Sequence, residues 1–296
     1  MYPRVTYHSE SERDWTQIKN PVASKKWDGA SFFMEVQPDG SLKYFSRKKS
    51  VKGHYPERSA QLPHLSDVKL PQYAGNTYVV ELVHTGHRKD ATESHGKLSG
   101  ILNSLTPRAI ETQNQTGPVR AVLHGVINPK FPTYKDTLLH LKEVEQAFGK
   151  PDVLFAIEPH ITQDSIQKLI TKTRLRGEEG VIVTSLTEPE STNTRIKIKN
   201  FGTWNLRIIK ILQEKDINGN PKPSMGAVVC VDRSGRVVCD VGSGFNREDR
   251  KDAWEHPEKW INRLIQVKSM GSSGPGTRLR HPVYNGEADG ELDLVE

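Results

Sequence analysis

The sequence predicts an α+β protein built in two parts, and three observations carry the prediction. Short runs of alternating apolar and polar residues recur along much of the 296-residue chain, as half-buried strands require. Two segments of the front part have helical spacing and close on glycine, "YKDTLLHLKEVEQAFG" and "TQDSIQKLITKTRLRG". From Trp204 onward the texture changes to short β segments separated by Gly, Pro and Asn turns, which fits a small β-barrel of about 90 residues. The boundary falls near residue 202, so the parts are 1–202 and 203–296.

In chain order, "ASFFMEV" (30–36) alternates and leads through the turn "QPDG" into "SLKYFSR", a hairpin that begins three residues after Trp27. "NTYVVELVH" (76–84) and "VRAVLHGVI" (119–127) read as buried strands. The polar stretch between them holds one helix, near "KLSGILNSL". In the next helix Leu138, Leu141, Val144 or Glu145, and Phe148 recur at helical intervals up to Gly149. "PDVLFAIEPH" is strand-like, the second long helix ends at Gly177, and "EEGVIVTS" follows at once as a strand. "TRIKIKN" then alternates Ile with Lys. In the second part "LRIIKILQE", "AVVCVDRSGRVVCDVG" and "WINRLIQVKSM" read as β segments, with one helix over 246–254.

The composition narrows the class. An apolar fraction of 34% supports real cores and argues against a disordered chain. No apolar run approaches the ~18 residues of a membrane span, and "MYPRVTYHSE" lacks the apolar region of a signal peptide. The expectation is a cytoplasmic protein with no membrane partner. Cys230 and Cys239 are too few for a four-ligand zinc site and flank the turn "DRSG" as ordinary strand residues. The net charge of +6 is spread along the chain, which suits a protein gripping a polyanion over a broad face.

Four features stand in a definite order. Lys26-Trp27-Asp28-Gly29 precedes a strand. Glu81 sits inside an apolar strand, where an unpaired carboxylate is costly. Glu179-Gly180 opens the strand "VIV" directly after a helix. Lys197 and Lys199 share one face of "RIKIK". Singly, each has an ordinary explanation: Asp-Gly makes turns, a strand-end Glu pairs with a Lys, and edge lysines block aggregation. Jointly, a lysine, two carboxylates and two more lysines at the ends of separate strands read as one pocket.

In order and wording these features resemble the covalent nucleotidyltransferases, and among them the small ATP-dependent DNA ligases of the bacteriophage kind. "KWDG" is similar to the nucleophile motif, "FSRKK" to the serine-arginine motif, "VVEL" to the third, "EGVIV" to the fourth and "IKIK" to the fifth. "TRLRHPVY" resembles the arginine-containing motif of the second domain, and the set spans nearly the whole chain. The resemblance implies an adenylation (nucleotidyltransferase) domain with an antiparallel-sheet core, followed by a C-terminal OB-fold.

It also implies a chemistry. Lys26 would attack the α-phosphate of ATP as a neutral amine, with Asp28 orienting it and Gly29 allowing a tight approach. A free lysine, with pKa ~10.4, faces a penalty of roughly 4 to 5 kcal/mol at pH 7. Lys197 and Lys199 would disfavour the charged amine and hold the phosphate. Glu81 and Glu179 would supply oxygen ligands for Mg²⁺, although Glu81 is equally placed by the resemblance to hold the ribose hydroxyls. The lysyl-AMP would pass to the 5′-phosphate of a nick, and the 3′-hydroxyl would displace AMP. His124 takes the family's adenine-stacking place, and Arg280 its pyrophosphate-facing place. One departure stands out: Ser31 occupies a position where many relatives carry arginine, so Arg47 would take more of the ribose or nick-phosphate contact. His84 and His87 have no third ligand and read as loop residues.

The partner implied is nicked double-stranded DNA in replication, repair or recombination, bound by a monomer in a bacterial or phage-infected cell. The front 25 residues are too few for a separate DNA-binding domain, so two domains alone must encircle the duplex. The alternatives are an RNA ligase or a GTP-dependent capping-type enzyme, and a non-enzymatic OB-fold nucleic-acid-binding protein. The intact Lys26, Glu81, Glu179, Lys197 and Lys199 argue against the last.

Overall fold

The computed structural model describes residues 7–9, 13–88, 94–189, 195–271 and 278–295. The chain divides into two compact units, Met1–Lys199 and Asn200–Glu296. The front unit holds strands β1 (Tyr7–Ser9), β2 (Pro21–Lys26), β3 (Ala30–Val36), β4 (Leu42–Ser46), β5 (Thr77–His84), β6 (Val119–Ile127), β7 (Leu154–Ala156), β8 (Gly180–Ser185) and β9 (Arg195–Lys199). Its helices are α1 (Pro63–Ser66), α2 (His95–Asn103), α3 (Thr106–Thr116), α4 (Tyr134–Phe148) and α5 (Gln163–Leu175).

The strands form two sheets, ordered β4-β3-β5-β6-β7 and β1-β9-β8-β2. Both are antiparallel except where β7 and β1 add in parallel at an edge. Period-2 alternation gives each sheet one apolar face to cover. In the first sheet Tyr78, Val80 and Leu82 pack with Leu98 and Ile101 of α2 and Leu141 and Val144 of α4. In the second, Val181, Val183, Ile196 and Ile198 pack on Ile166, Leu169 and Ile170 of α5. The opposite faces meet through a smaller cluster, in which Val22 of the second sheet joins Val83 and Val122 of the first. The residues between the apolar ones are thereby turned toward the space between the sheets.

Both long helices start on reciprocal caps, Thr133 with Asp136 and Thr162 with Ser165. Gly149 ends α4 at φ 71°, and Val144 rather than Glu145 faces the core. Three local features differ from the sequence expectation. Among its described residues the stretch 85–117 holds two helices, not one: Pro107 sits in the first turn of α3, where its missing N–H costs nothing. The polar α3 buries little beyond Ala109 and Gln113, so its periodicity is faint. Lys26 closes a strand, β2, as well as preceding one. The three-residue β1 pairs with β9 and is too short for an alternation signal.

The back unit comprises β10 (Gly202–Lys215), β11 (Pro221–Val231), β12 (Val237–Val241), α6 (Arg247–Glu255), α7 (Pro257–Trp260), β13 (Leu264–Ser269) and β14 (Val283–Glu287). The sheet order is β12-β11-β10-β13-β14. Its edges approach at a bridge between Ser243 and Val283, and the Leu279 N–H donates to the Val238 carbonyl at 2.7 Å. Among the described residues no ladder joins the two edges, so the unit is an OB-like curled sheet and not a continuous closed barrel. Its core holds Leu206, Ile208, Val228, Trp260 and Val267. Cys230 and Cys239 face each other across β11 and β12, buried and unbridged. The first half of "WINRLIQVKSM" is turn, not strand, because Trp260 ends α7 with its indole N–H donating to Asp252 at 2.7 Å.

Candidate active site

Sheet register alone brings the basic residues together. Lys26, the last residue of β2, lies opposite Gly180, and Gly180 lies opposite Lys199. The next row inward is Ser24, Ile182 and Lys197, and Thr184 and Arg195 form the one after. All of these point to the face that α5 does not cover, so Arg195, Lys197 and Lys199 share a side with Lys26.

Two glycines permit the close approach. A Cβ on Gly180, whose φ is +141°, would stand 2.0 Å from the Ile198 carbonyl oxygen. A Cβ on Gly29 would stand 2.1 Å from the Leu82 carbonyl oxygen and 2.9 Å from Cγ of Glu81. No other residue lets the segment after Lys26 lie this tightly against β5.

From the facing sheet, Ser31 pairs in register with Glu81, and Glu81 with Val122. The register of β5 and β6 runs from Val79–Gly125 to Val80–Leu123 and skips His124. His124 is therefore the extra residue of a bulge, a device that re-aims one side chain. Ser24, Lys26, Ile182, Arg195 and Lys197 on one side, and Ser31, Glu81 and His124 on the other, enclose a cavity of about 160 Å³. Arg47, Tyr134, Ile157, Lys25 and Trp27 complete its wall.

The charges are tightly interlocked. The Lys26 ammonium touches the Glu179 carboxylate, and their side chains are 17% and 10% exposed. The neighbouring pair is spoken for separately: Lys25 Nζ donates to Glu178 at 2.9 Å and lies 4.1 Å over the Trp27 ring. Burial pushes the Glu81 carboxyl up to about 8; Lys26 and Arg47 pull it down, while Glu179 and Asp28 push it further up. Burial takes the His124 imidazole down to about 3, helped by Arg195, Arg47 and Lys26, so that ring is neutral. Lys197 is lowered by burial first, then by Lys26, Lys199 and Arg47. The site is a cationic pocket with two embedded carboxyl groups, Glu179 and the raised Glu81, a natural receptor for a phosphorylated anion.

Of the residues singled out in the sequence, Lys26, Arg47, Glu81, His124 and Lys197 line the cavity. Glu179 touches Lys26, Asp28 lies close enough to act on Glu81, and Lys199 shares the register row of Lys26 and Gly180, on the same face of β9 as Lys197. Arg280 belongs to the back unit, where its N–H donates to the Gly271 carbonyl at 2.8 Å and its own carbonyl accepts from Ser269 Oγ at 2.7 Å. Sequence reasoning missed Arg195 and Tyr134. Arg195 sits two residues before Lys197 and was legible from period 2, and its guanidinium lies 5.0 Å over the Tyr134 ring. Tyr134 opens a helix and carried no signal. His84 is not a loop residue: it ends β5, buried, with Nε2 in hydrogen-bond contact with Thr116 Oγ1 at 3.1 Å. His87 likewise contacts the Gln115 carbonyl.

A larger hollow of about 420 Å³ runs along the exposed side of α5 and is lined only by residues of that helix and Arg176, which follows it. Among the described residues no group of three or more His, Cys, Asp or Glu is placed to hold a metal. No helix there is long and apolar enough to cross a membrane. The pair Glu81 and Glu179 offers oxygen donors of the kind Mg²⁺ prefers, but too few for an all-protein cage.

No protein-family model matches the chain, and no curated protein matches it in sequence. Solved structures do match. One described as "Pmar-Lig_PreS3" aligns at a TM-score of 0.73 with 13% identity over 95% of this chain. This chain spans 66% of that protein's length. A structure from a study of DNA binding with a minimal scaffold by Lig E DNA ligases aligns at 0.69 with 13% identity, covering 97% of this chain and 100% of that one. The chain therefore shares the fold of these solved structures, an α+β unit followed by an OB-like unit.

Proposed function

We propose that the protein is an ATP-dependent DNA ligase that seals 5′-phosphate/3′-hydroxyl nicks through lysyl-AMP and DNA-adenylate intermediates. The observation that carries this reading is the inward row of Lys26, Lys197 and Arg195 facing Glu81 and His124 across one cavity. Lys26 is the nucleophile. The Glu179 carboxylate touches its side-chain nitrogen and holds it at the cavity wall. Arg47, Lys197 and Lys199 hold phosphate oxygens, and neutral His124 offers a flat face to adenine. Asp28 orients the nucleophile segment. Glu81, on the cavity wall, reaches the ribose hydroxyls. Arg280 serves from the OB-like unit.

Mg²⁺ fits the donor set as a companion of the nucleotide, held by Glu179 and Glu81 together with phosphate and water oxygens. When bound it would neutralise phosphate charge. The nick is recognised through its backbone and ends, so binding is expected to weaken with salt.

Incubation with labelled ATP or GTP, followed by a denaturing gel, tests the reading. An AMP adduct that moves to a nicked duplex and yields a sealed strand supports it. A GMP adduct points to a capping-type enzyme, sealing of RNA alone to an RNA ligase, and no adduct to a binding protein.

A further inference from the structure

We propose that Arg195 reads the base of the bound nucleotide, its guanidinium donating to the N7 edge of the purine. The inference rests on the nucleotidyl-transfer reading of the site and names the residue that selects the base.

The strand register gives the position. Arg195 opens β9, only 6% exposed, opposite Thr184 and one inward row beyond the Ile182–Lys197 pair. Two strand residues span roughly 7 Å, so Arg195 joins the cavity wall one such step from the phosphate-facing Lys197. The wall around it is flat or apolar. Its guanidinium lies 5.0 Å over the Tyr134 ring, the Tyr134 hydroxyl donates to the His124 carbonyl at 3.4 Å, and Tyr134 shares an apolar cluster with Ile157. After burial itself, Arg195 is the largest influence keeping the His124 imidazole neutral, ahead of Arg47 and Lys26. Lys26, Lys197 and Arg47 already offer cations to the phosphates, and the Arg195 end suits the base.

The chemistry of the group says what it reads. A guanidinium has five N–H donors and no acceptor, enough to keep protein neighbours and still offer an edge to a ligand. Stacked on a ring it holds a fixed plane, which gives its donors a direction. The complement on a base is an in-plane acceptor nitrogen. Adenine has three, at N1, N3 and N7, and in an anti nucleotide N7 lies on the edge nearest the 5′-phosphate. That edge matches a residue two positions along β9 from Lys197, and guanidinium-to-N7 contacts recur in base readout. Pyrimidines have no counterpart of N7, so the contact favours a purine.

The test compares ATP with 7-deaza-ATP, in which N7 is replaced by C–H, on the full chain and its Arg195→Met and Arg195→Lys variants. Self-adenylation at limiting nucleotide is read on a denaturing gel, nucleotide binding by fluorescence titration and folding by a melting curve. The parent is expected to lose about tenfold on 7-deaza-ATP, the scale of one hydrogen bond from a charged donor. Arg195→Met should lose about as much on ATP and treat the two nucleotides alike within about twofold, while Arg195→Lys keeps part of the preference. A parent that uses and binds both nucleotides equally overturns the proposal without any variant. So does an Arg195→Met chain that slows on both yet keeps the parent's preference, which would make Arg195 a brace or a phosphate contact. The functional reading fails separately: a parent that binds ATP over 7-deaza-ATP but takes no AMP keeps the base contact and removes the ligase. A parent that binds neither nucleotide overturns both.

Discussion

Lys25 and Lys26 are adjacent and both basic, yet their surroundings assign them different work. Lys26 meets Glu179 at the cavity wall, whereas Lys25 is held by Glu178 and stacked on Trp27. Lys26→Ala is therefore expected to abolish AMP labelling, and Lys25→Ala to keep most of it. Radioactive labelling on a denaturing gel reads both; an adduct on a Lys26→Ala chain would overturn the assignment. Ser31 gives a second residue-scale test. It faces Glu81 across the β3–β5 register and sits beside Arg47, which fills the neighbourhood where relatives are expected to use an arginine. Ser31→Arg should raise nick affinity and steepen its salt dependence by about one phosphate contact. Unchanged affinity and slope in a binding titration would show that Arg47 already makes that contact.

The decisive element is the β8–β9 pair. Its outer face is fixed by Val181, Val183, Ile196 and Ile198 on α5, and that apolar grip dictates which residues turn inward. Gly180 sits where β2, β8 and β9 come closest, and only a residue without Cβ fits between Lys26 and Lys199. Gly180→Ala should lower stability by about 2 kcal/mol or more, through backbone conflict at positive φ, as read from chemical denaturation. Self-adenylation should fall further than the folded fraction does, because the Lys26 row is displaced. A variant that is destabilised yet adenylates normally per folded molecule would show that this row is not the reacting geometry. The bulge at His124 is the matching device on the other sheet. An alternating reading of "VRAVLHGVI" correctly makes it a strand, but no sequence pattern announces that the register slips by one residue there.

Two units with separate cores carry separate parts of the proposed cycle, and Arg280 is the residue of the back unit that tests their cooperation. Its backbone is held by Ser269, Met270 and Gly271. A guanidinium that meets departing pyrophosphate stabilises charge present only in the adenylation step. Arg280→Ala should therefore lose at least about ten times more rate in self-adenylation than in sealing a nick that already carries AMP. Equal losses, with an unchanged melting curve, would remove Arg280 from the site.

What the sequence determined by itself was local. The hairpin from Ala30, the buried strands around Glu81 and His124, the capped helices α4 and α5 and the change of texture near residue 202 all follow from periodicity and turn chemistry. So does the grouping of Lys26, Glu81, Glu179 and Lys197, because strand-end polar residues in an apolar context mark a pocket. What only the tertiary structure decided was non-local. Tyr134 enters the wall because α4 packs there, and its ring meets the Arg195 guanidinium. Lys25 is set apart from Lys26 by a glutamate 153 residues away in sequence. Among the described residues the edges of the back sheet meet at the Ser243–Val283 bridge and the Leu279–Val238 hydrogen bond rather than along a continuous ladder. Periodicity reports which face of an element is apolar; which elements share that face depends on pairing and packing between distant segments, and a single sequence does not record it.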